Sequence, residues 1–378
     1  MSVKNTDVEK LDVASSFLKD NFLLQFLLIT ITGIIKKMKD SLNIAVAGAS
    51  GYVGIQLIKI LLKHPKTKIL FLYANKSTGK KIKDFENKVF RNRLPIVTKF
   101  KKKDLYKVDV IFTALPNGEA QKIAKSLPSG VKLIDLSADF RLNDFKLYKK
   151  WYGLNHKCKQ LIKKSLYSIT EFKRNNLQKS KIISCPGCYP TSIQIPLVPL
   201  IKNNMINLTN IIIDSKSGYS GGGKNIKKKF NKININKSVS AYSVGSHRHM
   251  AEIDQELSIA AQKRVMVSFT PHLIPMFRGI LSTIYVETKN KINATKIYNF
   301  LKFYHKNNYF IKIVKFNKYI STDSVINTNF CNISICEDRK SNRVIIFSTI
   351  DNLFKGASGQ AVQNMNVAYN IKETMGLI

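Results

Sequence analysis

The sequence predicts an α/β fold: a doubly wound parallel sheet of the Rossmann type, followed by a second, mixed α/β domain. Three observations predict it. An apolar strand leads into a glycine-rich turn and a helix at residues 42–63, apolar strands then alternate with helical or loop segments as far as residue 187, and strands dominate from there to residue 350. A length of 378 residues suits two domains of ordinary size.

The first domain is predicted over residues 38–187. Its first strand, residues 42–47, is apolar throughout and therefore suits burial on both faces of a parallel sheet. The helix at residues 55–63 has apolar residues at helical spacing and stops before Pro65. Further strands are predicted at residues 68–73, 108–113, 131–136 and 181–184.

The second domain is predicted over residues 188–350. It begins with a helix at residues 191–201, and its strands are expected at residues 210–214, 264–269, 281–287, 310–315 and 343–350. Residues 355–370 carry small and apolar side chains at helical spacing, which predicts a closing helix within a C-terminal segment 351–378.

The N-terminal residues 1–37 precede the first domain signal. Their apolar run at residues 22–35 is shorter than the roughly 18 residues of a spanning helix, and the preceding charges of both signs argue against a signal peptide. We expect either a real extension or a misassigned start codon upstream of Met38, and a helix lying on a membrane surface is the third interpretation. The odd number of cysteines, five, and the missing secretory signal favour a reducing, cytoplasmic location.

The charge balance is strongly basic, with 62 Lys and Arg against 24 Asp and Glu, a net charge of +38. The excess is mostly lysine scattered through every segment, and we find no zinc-finger spacing, RNP-type aromatic signature or basic region with heptads. We therefore expect neither nucleic acid nor membrane as a partner. A small anionic substrate is compatible with this charge.

The glycine turn predicts a dinucleotide site. Gly48, Gly51 and Gly54 follow a strand and open a helix, where glycines permit a tight turn and let backbone N–H groups approach a pyrophosphate. Ser50, Tyr52 and Val53 in the same turn join the cofactor-binding candidates. The alternative is a tight turn in some other α/β protein.

The end of the second strand indicates which dinucleotide binds. NAD sites place Asp or Glu there on the ribose 2′-OH, whereas residues 74–80 contain no carboxylate and two lysines, Lys76 and Lys80. With Ser77 beside Lys76, the segment suits a 2′-phosphate, so we predict NADP (NADPH).

Cys188 is the candidate nucleophile. It follows a predicted strand and precedes a helix, and a helix N-terminus is expected to lower a thiol pKa. Cys185 completes a C-x-x-C pair, so a dithiol redox site is the competing interpretation, and two inert buried thiols are a third. Because a thioredoxin-like protein needs no dinucleotide domain, the single nucleophile is favoured.

Histidines supply the candidate acid or base. His247 and His249 flank an arginine just before a polar helix, whereas His64 and His305 are expected at the surface. No further Cys or His stands at a spacing that would complete a metal site, so no metal is predicted.

Seven segments together resemble the N-acetyl-gamma-glutamyl-phosphate reductases, within the aspartate-semialdehyde-dehydrogenase-like superfamily. In family order these are GASGYVG, LSADFRL, PGCYPTS, SKSGYSGGGK, GSHRHMAEI, FTPHLIPMFRGILSTIYV and DNLFKGASGQAVQNMN, spread over residues 38–378. The resemblance implies NADPH-dependent reduction of N-acetyl-glutamyl 5-phosphate to the 5-semialdehyde and phosphate, in arginine biosynthesis. It also implies a homo-oligomer, a dimer or tetramer, with residues 188–350 carrying the catalytic and oligomer contacts.

The resemblance also implies the site residues. Cys188 would form a thioester, and His247, with His249 as the alternative, would move the protons. Arginines suit the carboxylate and phosphate of the substrate, or else form structural ion pairs. The substrate candidates are Arg141, Arg248 and Arg278, and the candidates around the nicotinamide are Ser217, Ser220, Gly221 and Asn352.

Two departures from the family pattern stand out. Cys185 replaces the usual Asn, which would make Cys188 more prone to disulfide formation, and Lys76 with Ser77 replaces a Ser-Arg pair, which would weaken NADP preference. The alternatives are a sister reductase acting on aspartyl or amino-adipyl phosphate, a thiol redox protein that uses Cys185 and Cys188, and a binding protein that has lost catalysis.

Overall fold

Two sheets, each of seven strands, organise the residues that the structure describes. This computed structural model describes residues 40–86, 94–224, 226, 234, 235, 237–289 and 292–378. The predicted N-terminal segment 1–37 lies outside the described residues. Residues 43–378 form one compact unit.

The first sheet confirms the predicted doubly wound parallel fold. Its order is β3-β2-β1-β4-β5-β7-β6, and the pairings β1–β4, β2–β3, β4–β5, β5–β7 and β6–β7 are parallel. The strands are β1 (Leu42–Ala47), β2 (Thr67–Tyr73), β3 (Val97–Thr98), β4 (Val110–Thr113), β5 (Lys132–Asp135), β6 (Ser165–Tyr167) and β7 (Ile182–Ser184).

Helices connect these strands. The first of them has its apolar side chains buried against the sheet, as its 3.6-residue periodicity predicts. The helices are α1 (Tyr52–Lys63), α2 (Glu119–Ala124), α3 (Phe145–Tyr152), α4 (Lys159–Ile162) and α5 (Thr170–Leu177).

The second sheet is mixed, in the order β12-β13-β14-β11-β8-β10-β9. The pairs β8–β10 and β12–β13 are parallel, and β8–β11, β11–β14, β13–β14 and β9–β10 are antiparallel. The strands are β8 (Ile212–Gly218), β9 (Ser240–Ala241), β10 (Ser268–Ile274), β11 (Ile280–Glu287), β12 (Ile311–Ile313), β13 (Cys331–Glu337) and β14 (Arg343–Ile350).

Helices cover one face of this sheet and form the largest apolar cluster with it. Ile193 and Leu197 of one helix and Ile253 and Leu257 of another pack on inward-facing strand residues such as Ile284. The helices are α6 (Cys188–Lys202), α7 (His249–Ala261) and α8 (Ala294–Tyr304).

The C-terminal segment begins with a π-turn, not with the regular helix predicted at residue 355. The π-turn spans Phe354–Ser358 and continues into α9 (Gly359–Ala368). Its backbone bonds reach five residues back, from the Gly356 N–H to the Asp351 carbonyl and from the Ser358 N–H to the Leu353 carbonyl. The hydroxyl of Ser358 donates to the Val53 carbonyl of α1, so this segment reaches the first sheet's glycine turn.

Several predicted strand boundaries were wrong. The strand predicted at 210–214 continues to Gly218, and the strand predicted at 264–269 is Ser268–Ile274, because both continue through polar residues or proline that the apolar pattern does not mark. β13 was not predicted, although Cys331, Ile333 and Ile335 alternate with polar residues along it. No helix among the described residues is long and apolar enough to cross a membrane.

His64 and His305 are buried, so their predicted surface location was wrong. His305 is 2% exposed, and its ring nitrogens bond the Ile195 carbonyl at 3.2 Å and the Asn308 side-chain amide at 2.9 Å. Burial lowers the pKa of His305 to about 4. Ile195, whose carbonyl binds this ring, precedes His305 by 110 residues, so the local pattern of residues gives no sign of the contact.

Stability should therefore fall in mild acid. Because the pKa of His305 is lower in the folded than in the unfolded state, its contribution is complete above about pH 6.5 and is lost as the pH falls toward 4. Between pH 7 and pH 5 the free energy of unfolding should decrease in both proteins. The decrease should be about 2 kcal/mol smaller in the His305→Gln variant than in the wild type. Urea unfolding measures both values. Asn308→Ala, which removes only a hydrogen-bond partner, should keep the wild-type pH dependence; equal slopes in all three proteins would contradict the assignment.

Candidate active site

A cavity of about 520 Å³ opens at the carboxyl ends of the first sheet's strands, where ligands bind in α/β folds of this kind. It holds most of the chemistry predicted from the sequence. Its walls come from the loops after β4 and β5, the start of α6, the loop after β8, and the segment before α7. The lining includes Asn117, Ser137, Arg141, Tyr152, Cys188, Tyr189, Ser217, Gly221, Tyr242, His247, Arg248 and His249.

Cys188 is the first residue of α6 and is half-buried in the cavity wall. Gly187 is the N-cap and provides no capping side chain, so the first N–H groups of the helix have no side-chain acceptor there. Burial raises the pKa of the Cys188 thiol to about 11, although the Tyr189 backbone N–H and Arg141 favour the thiolate. The predicted lowering of this pKa was therefore wrong, because desolvation outweighs the helix terminus.

His249 is the first residue of α7, and its ring lies against the residue that precedes the cysteine. A Cβ added to Gly187 would lie 2.4 Å from His249 Nε2, so any other residue there would have to displace the imidazole ring. Burial first, and then His247 and the nearby arginines, lower the pKa of His249 well below its usual range. The imidazole is therefore neutral near pH 7 and can accept a proton.

His247 lies beside His249, with ring centroids 4.8 Å apart. Its Nδ1 accepts a hydrogen bond from the His249 backbone N–H at 3.1 Å, and its ring packs edge-on against Tyr189 and Phe269. Both predicted histidines thus line the same cavity as Cys188, and the hydrogen bond between them fixes the turn that carries them.

Glu252 joins the parts of the site. Its carboxylate is 0% exposed and accepts from Arg141 Nη1 at 3.0 Å and from the Gly187 backbone N–H at 2.9 Å. It also accepts from the Tyr167 hydroxyl at 3.3 Å and lies 4.0 Å from His249 Nε2. The sequence did not assign it a role; the available signal was its position three residues after His249, which places both on one helix face.

Cys185 lies behind the site and does not line the cavity. It is 1% exposed, and its sulfur accepts a contact from the Asn364 side-chain amide at 3.6 Å. Burial raises the pKa of its thiol to about 12. All five cysteines are free thiols in this structure.

The glycine turn fits a dinucleotide. Gly48 has φ of +90°, and a Cβ on Gly54 would lie 2.2 Å from the Gly48 carbonyl oxygen, so strand and helix approach too closely for any side chain. α1 begins at Tyr52 with Gly51 as N-cap and without a capping side chain. The N-terminal N–H groups of α1 are therefore suited to a pyrophosphate.

The predicted 2′-phosphate segment forms a short 3₁₀ turn next to the glycine turn. Ser77 is buried, and its hydroxyl donates to the Ser50 hydroxyl at 3.0 Å. Lys76 and Lys80 are exposed. The second strand is therefore followed by two exposed lysines, beside the glycine turn that carries Ser50.

The candidates for the nicotinamide end converge around Asn352. Its amide donates to the Ser220 hydroxyl at 2.9 Å and accepts from the Gly279 backbone N–H at 2.8 Å. A Cβ on Gly221 would lie 3.4 Å from the same amide nitrogen. Ser217 lies at the end of β8 and lines the cavity.

The three predicted arginines occupy different environments. Arg248 lines the cavity, is exposed, and stacks over the Tyr152 ring at 5.5 Å. Arg141 lines it too, but two of its nitrogens bond Glu252 and the Leu136 carbonyl, and Nε has no hydrogen-bond partner among the described residues. Arg278 is absent from the lining and bonds Asn327, Asp351 and Gln56. Its role as a substrate ligand stays a prediction.

Comparison with known proteins decides the family. The family model described as "Semialdehyde dehydrogenase, NAD binding domain" matches residues 43–180, and that described as "Semialdehyde dehydrogenase, dimerisation domain" matches residues 188–352. An Ehrlichia canis N-acetyl-gamma-glutamyl-phosphate reductase is 43% identical over 90% of this chain and 98% of its own. The probable chloroplastic N-acetyl-gamma-glutamyl-phosphate reductase of Arabidopsis thaliana is 42% identical over 91% of this chain and 86% of its own.

The chain belongs to the N-acetyl-gamma-glutamyl-phosphate reductase family. The resemblance found in the sequence is thereby confirmed, and this membership favours a reductase over a thiol redox protein.

Solved aspartate semialdehyde dehydrogenases share the fold. Vibrio cholerae enzyme II, complexed with ASA, gives a TM-score of 0.65 at 17% identity over 88% of this chain and 99% of that one. The Candida albicans enzyme, solved with NADP, gives a TM-score of 0.64 at 18% identity over 88% of this chain and 100% of that one.

No group of three or more His, Cys, Asp or Glu side chains suited to a metal ion occurs among the described residues.

Two further cavity residues of this family member, Tyr152 and Tyr242, were not predicted as site residues. Neither stands in one of the matching segments, so only the folded arrangement brings them to the cavity.

The thiol pKa leads to a test without substrate. Because burial raises the pKa of Cys188 to about 11, its alkylation by iodoacetamide should accelerate about tenfold per pH unit above pH 7. Mass spectrometry of the labelled peptide follows the rate, and Cys188→Ser is the control. A rate that reached its plateau below pH 8 would show that the free protein already holds a thiolate.

Proposed function

We propose that the protein reduces N-acetyl-L-glutamyl 5-phosphate with NADPH, giving N-acetyl-L-glutamate 5-semialdehyde and phosphate. The observation that carries the proposal is the meeting of Cys188, a neutral His249 and Arg248 in one cavity beside a dinucleotide turn. Membership of the reductase family supports this substrate over aspartyl or amino-adipyl phosphate, because the relatives carry that name.

His249 is the proposed base, in preference to His247, which the sequence favoured. The pKa values of thiol and imidazole explain why a base is needed, since burial keeps the Cys188 thiol protonated and keeps His249 neutral. The position of the His249 ring against Gly187 supports the choice, and the Glu252 carboxylate 4.0 Å away would stabilise the imidazolium that forms. The His247 ring instead packs among aromatic rings.

The thiolate attacks the acyl carbon, the C–O bond to phosphate breaks, and a thioester remains on Cys188. Backbone N–H groups at the start of α6 stabilise the oxyanion that develops in this step. The imidazolium of His249 gives its proton to the departing phosphate. The guanidinium of Arg248, which lines the cavity, and the unpaired Nε of Arg141 are the proposed partners of the substrate's phosphate and carboxylate.

NADPH, when bound, supplies the hydride that reduces the thioester carbonyl. The residues proposed to hold it are the N-terminal N–H groups of α1, Lys76 with Ser77, and the Ser217, Ser220, Gly221 and Asn352 group. The thiohemiacetal on Cys188 then collapses to the aldehyde and a thiolate. That thiolate regains a proton from solvent through His249, so each turnover consumes one proton.

The reverse reaction tests the function. With N-acetyl-glutamate 5-semialdehyde, NADP and phosphate, the protein should form NADPH, followed at 340 nm, and phosphate should be required. Cys188→Ala should lower the rate by about a thousandfold or more while leaving NADP binding intact. NAD in place of NADP and aspartate semialdehyde in place of substrate should both react poorly. Activity that survives Cys188→Ala would refute the covalent mechanism, and preference for aspartate semialdehyde would move the substrate to a sister reductase.

We also propose that the protein is a homodimer formed through the open face of the second sheet. The face away from the helices carries half-exposed apolar side chains on adjacent strands: Tyr285 stands between Ile212 and Ile345, and Leu281 and Phe347 extend the patch. Ile212 is 42% exposed, which is high for an isoleucine in a central strand. The matching family model is described as a dimerisation domain, which supports a second copy as the occupant.

A charge on this face should separate the copies. Tyr285→Lys combined with Ile345→Lys buries two ammonium groups in the proposed interface, so the mass from light scattering should fall to half or less of the wild-type value. Phe303→Lys replaces an apolar residue that is 67% exposed on α8 and should leave the mass unchanged. A wild-type monomer, or an unchanged mass in the double variant, would contradict this interface.

A further inference from the structure

One fully buried ion pair has no part in the mechanism above. Lys355 and Glu171 both have 0% exposed side chains, and Lys355 Nζ lies 2.6 Å from Glu171 Oε1. Lys355 is in the π-turn Phe354–Ser358, and Glu171 is in the first turn of α5, so the pair joins segments that are 184 residues apart. Moving both charges out of water is costly, and apolar side chains of similar volume would often serve stability as well.

The pair is held in one geometry. Lys355 Nζ also donates to Gln363 Oε1 at 2.8 Å, and Gln363 Nε2 donates to Glu171 Oε1 at 2.9 Å, which closes a three-membered network. Burial by itself raises the pKa of Glu171, but the adjacent ammonium group lowers it below its usual value, so the carboxylate stays charged. Because Gln363 bonds both partners of the ion pair, the π-turn and α5 are held in a fixed position relative to each other.

The π-turn that carries Lys355 touches the nucleophile. A Cβ on Gly356 would lie 3.2 Å from Cys188 Cα and 2.8 Å from its Cβ, and the second distance is shorter than real Cβ contacts. The same turn begins just after Asn352, which holds Ser220, and its Ser358 bonds the Val53 carbonyl of α1. π-turns are rare and occur frequently at functional sites.

We propose that the buried Lys355–Glu171 pair is a positioning element for the reaction, because it fixes the π-turn whose Gly356 backbone supports Cys188 in the cavity. This inference rests on the proposed function of Cys188. Neither charged group touches the cavity, so the pair acts through the position of the thiol and not through substrate or cofactor contacts.

The experiment separates position from stability. Lys355→Met alone leaves a buried carboxylate and should lower the melting temperature strongly, whereas Lys355→Met with Glu171→Gln removes both charges and should recover most of that loss. In the folded double variant we expect kcat of the reverse reaction to fall about tenfold or more, because a slightly misplaced nucleophile loses its attack geometry. KM for the semialdehyde and Kd for NADP should change less than about twofold.

A second ion pair in the same network provides the matched control. Arg174 bonds Glu373, which in turn accepts from Gln363, but neither belongs to the π-turn. Arg174→Met with Glu373→Gln should lower the melting temperature while keeping wild-type kcat. If the Lys355 and Glu171 double variant is folded and has wild-type kcat, the pair is only structural and the proposal is wrong.

Two further measurements decide the remaining cases. If the double variant does not fold, Gly356→Ala tests the same support from its other side: a Cβ there must displace Cys188, so kcat should fall with KM unchanged, and wild-type kcat would overturn the proposal. If the wild type has no reductase activity, the proposed function fails while the positioning claim is still measurable. Iodoacetamide labelling of Cys188 at fixed pH should then differ about tenfold between wild type and double variant, and equal rates would overturn it.

Discussion

The carboxylate of Glu252 is the contact on which the site depends. It binds the guanidinium of Arg141, from the loop after β5, and the backbone N–H of Gly187, at the start of α6. It comes from α7, the helix that also carries His249. One buried anion therefore fixes the first sheet, the cysteine helix and the histidine helix relative to one another. Its other neighbour, Tyr167, extends this anchoring to the edge strand β6.

The chain has few carboxylates because its charge is strongly basic, and this makes the buried ones informative. With 62 basic residues and 24 acidic ones, carboxylates are scarce, yet several of them lie in the interior. Asp139 accepts from the Gly118 N–H and the Tyr148 hydroxyl, and Asp351 accepts from Arg278 and the Asn327 N–H. Each organises a loop or a segment end next to the cavity. The scattered lysines say little about function, whereas the few buried acids mark the positions that the fold must hold.

Local patterns predicted the parts of the molecule that local physics controls. The glycine turn could be predicted because close approach of strand and helix excludes side chains. The place of Cys188 near a helix start could be predicted because a strand and a helix flank it, although α6 begins three residues before the predicted residue 191. The buried locations of His64 and His305, the role of Glu252 and the pKa of Cys188 could not be predicted. Each depends on partners more than a hundred residues away or on desolvation by the assembled cavity, and neither leaves a periodic trace in sequence. The motifs and their order still identified the family, because a motif can be matched by its residues alone, without knowledge of the contacts that it makes.

The C-terminal segment has a consequence for how the protein is made. Gly356, which supports Cys188, and Asn352, which holds the loop of Ser220, are synthesised after every strand of both sheets. During synthesis the residues of the glycine turn and of the cysteine helix therefore leave the ribosome before the backbone that packs against the thiol. The order of translation thus delays a competent nucleophile until the strands of both sheets have been synthesised. A chain that stopped before Asn352 would lack both the amide that holds Ser220 and the backbone that packs against Cys188.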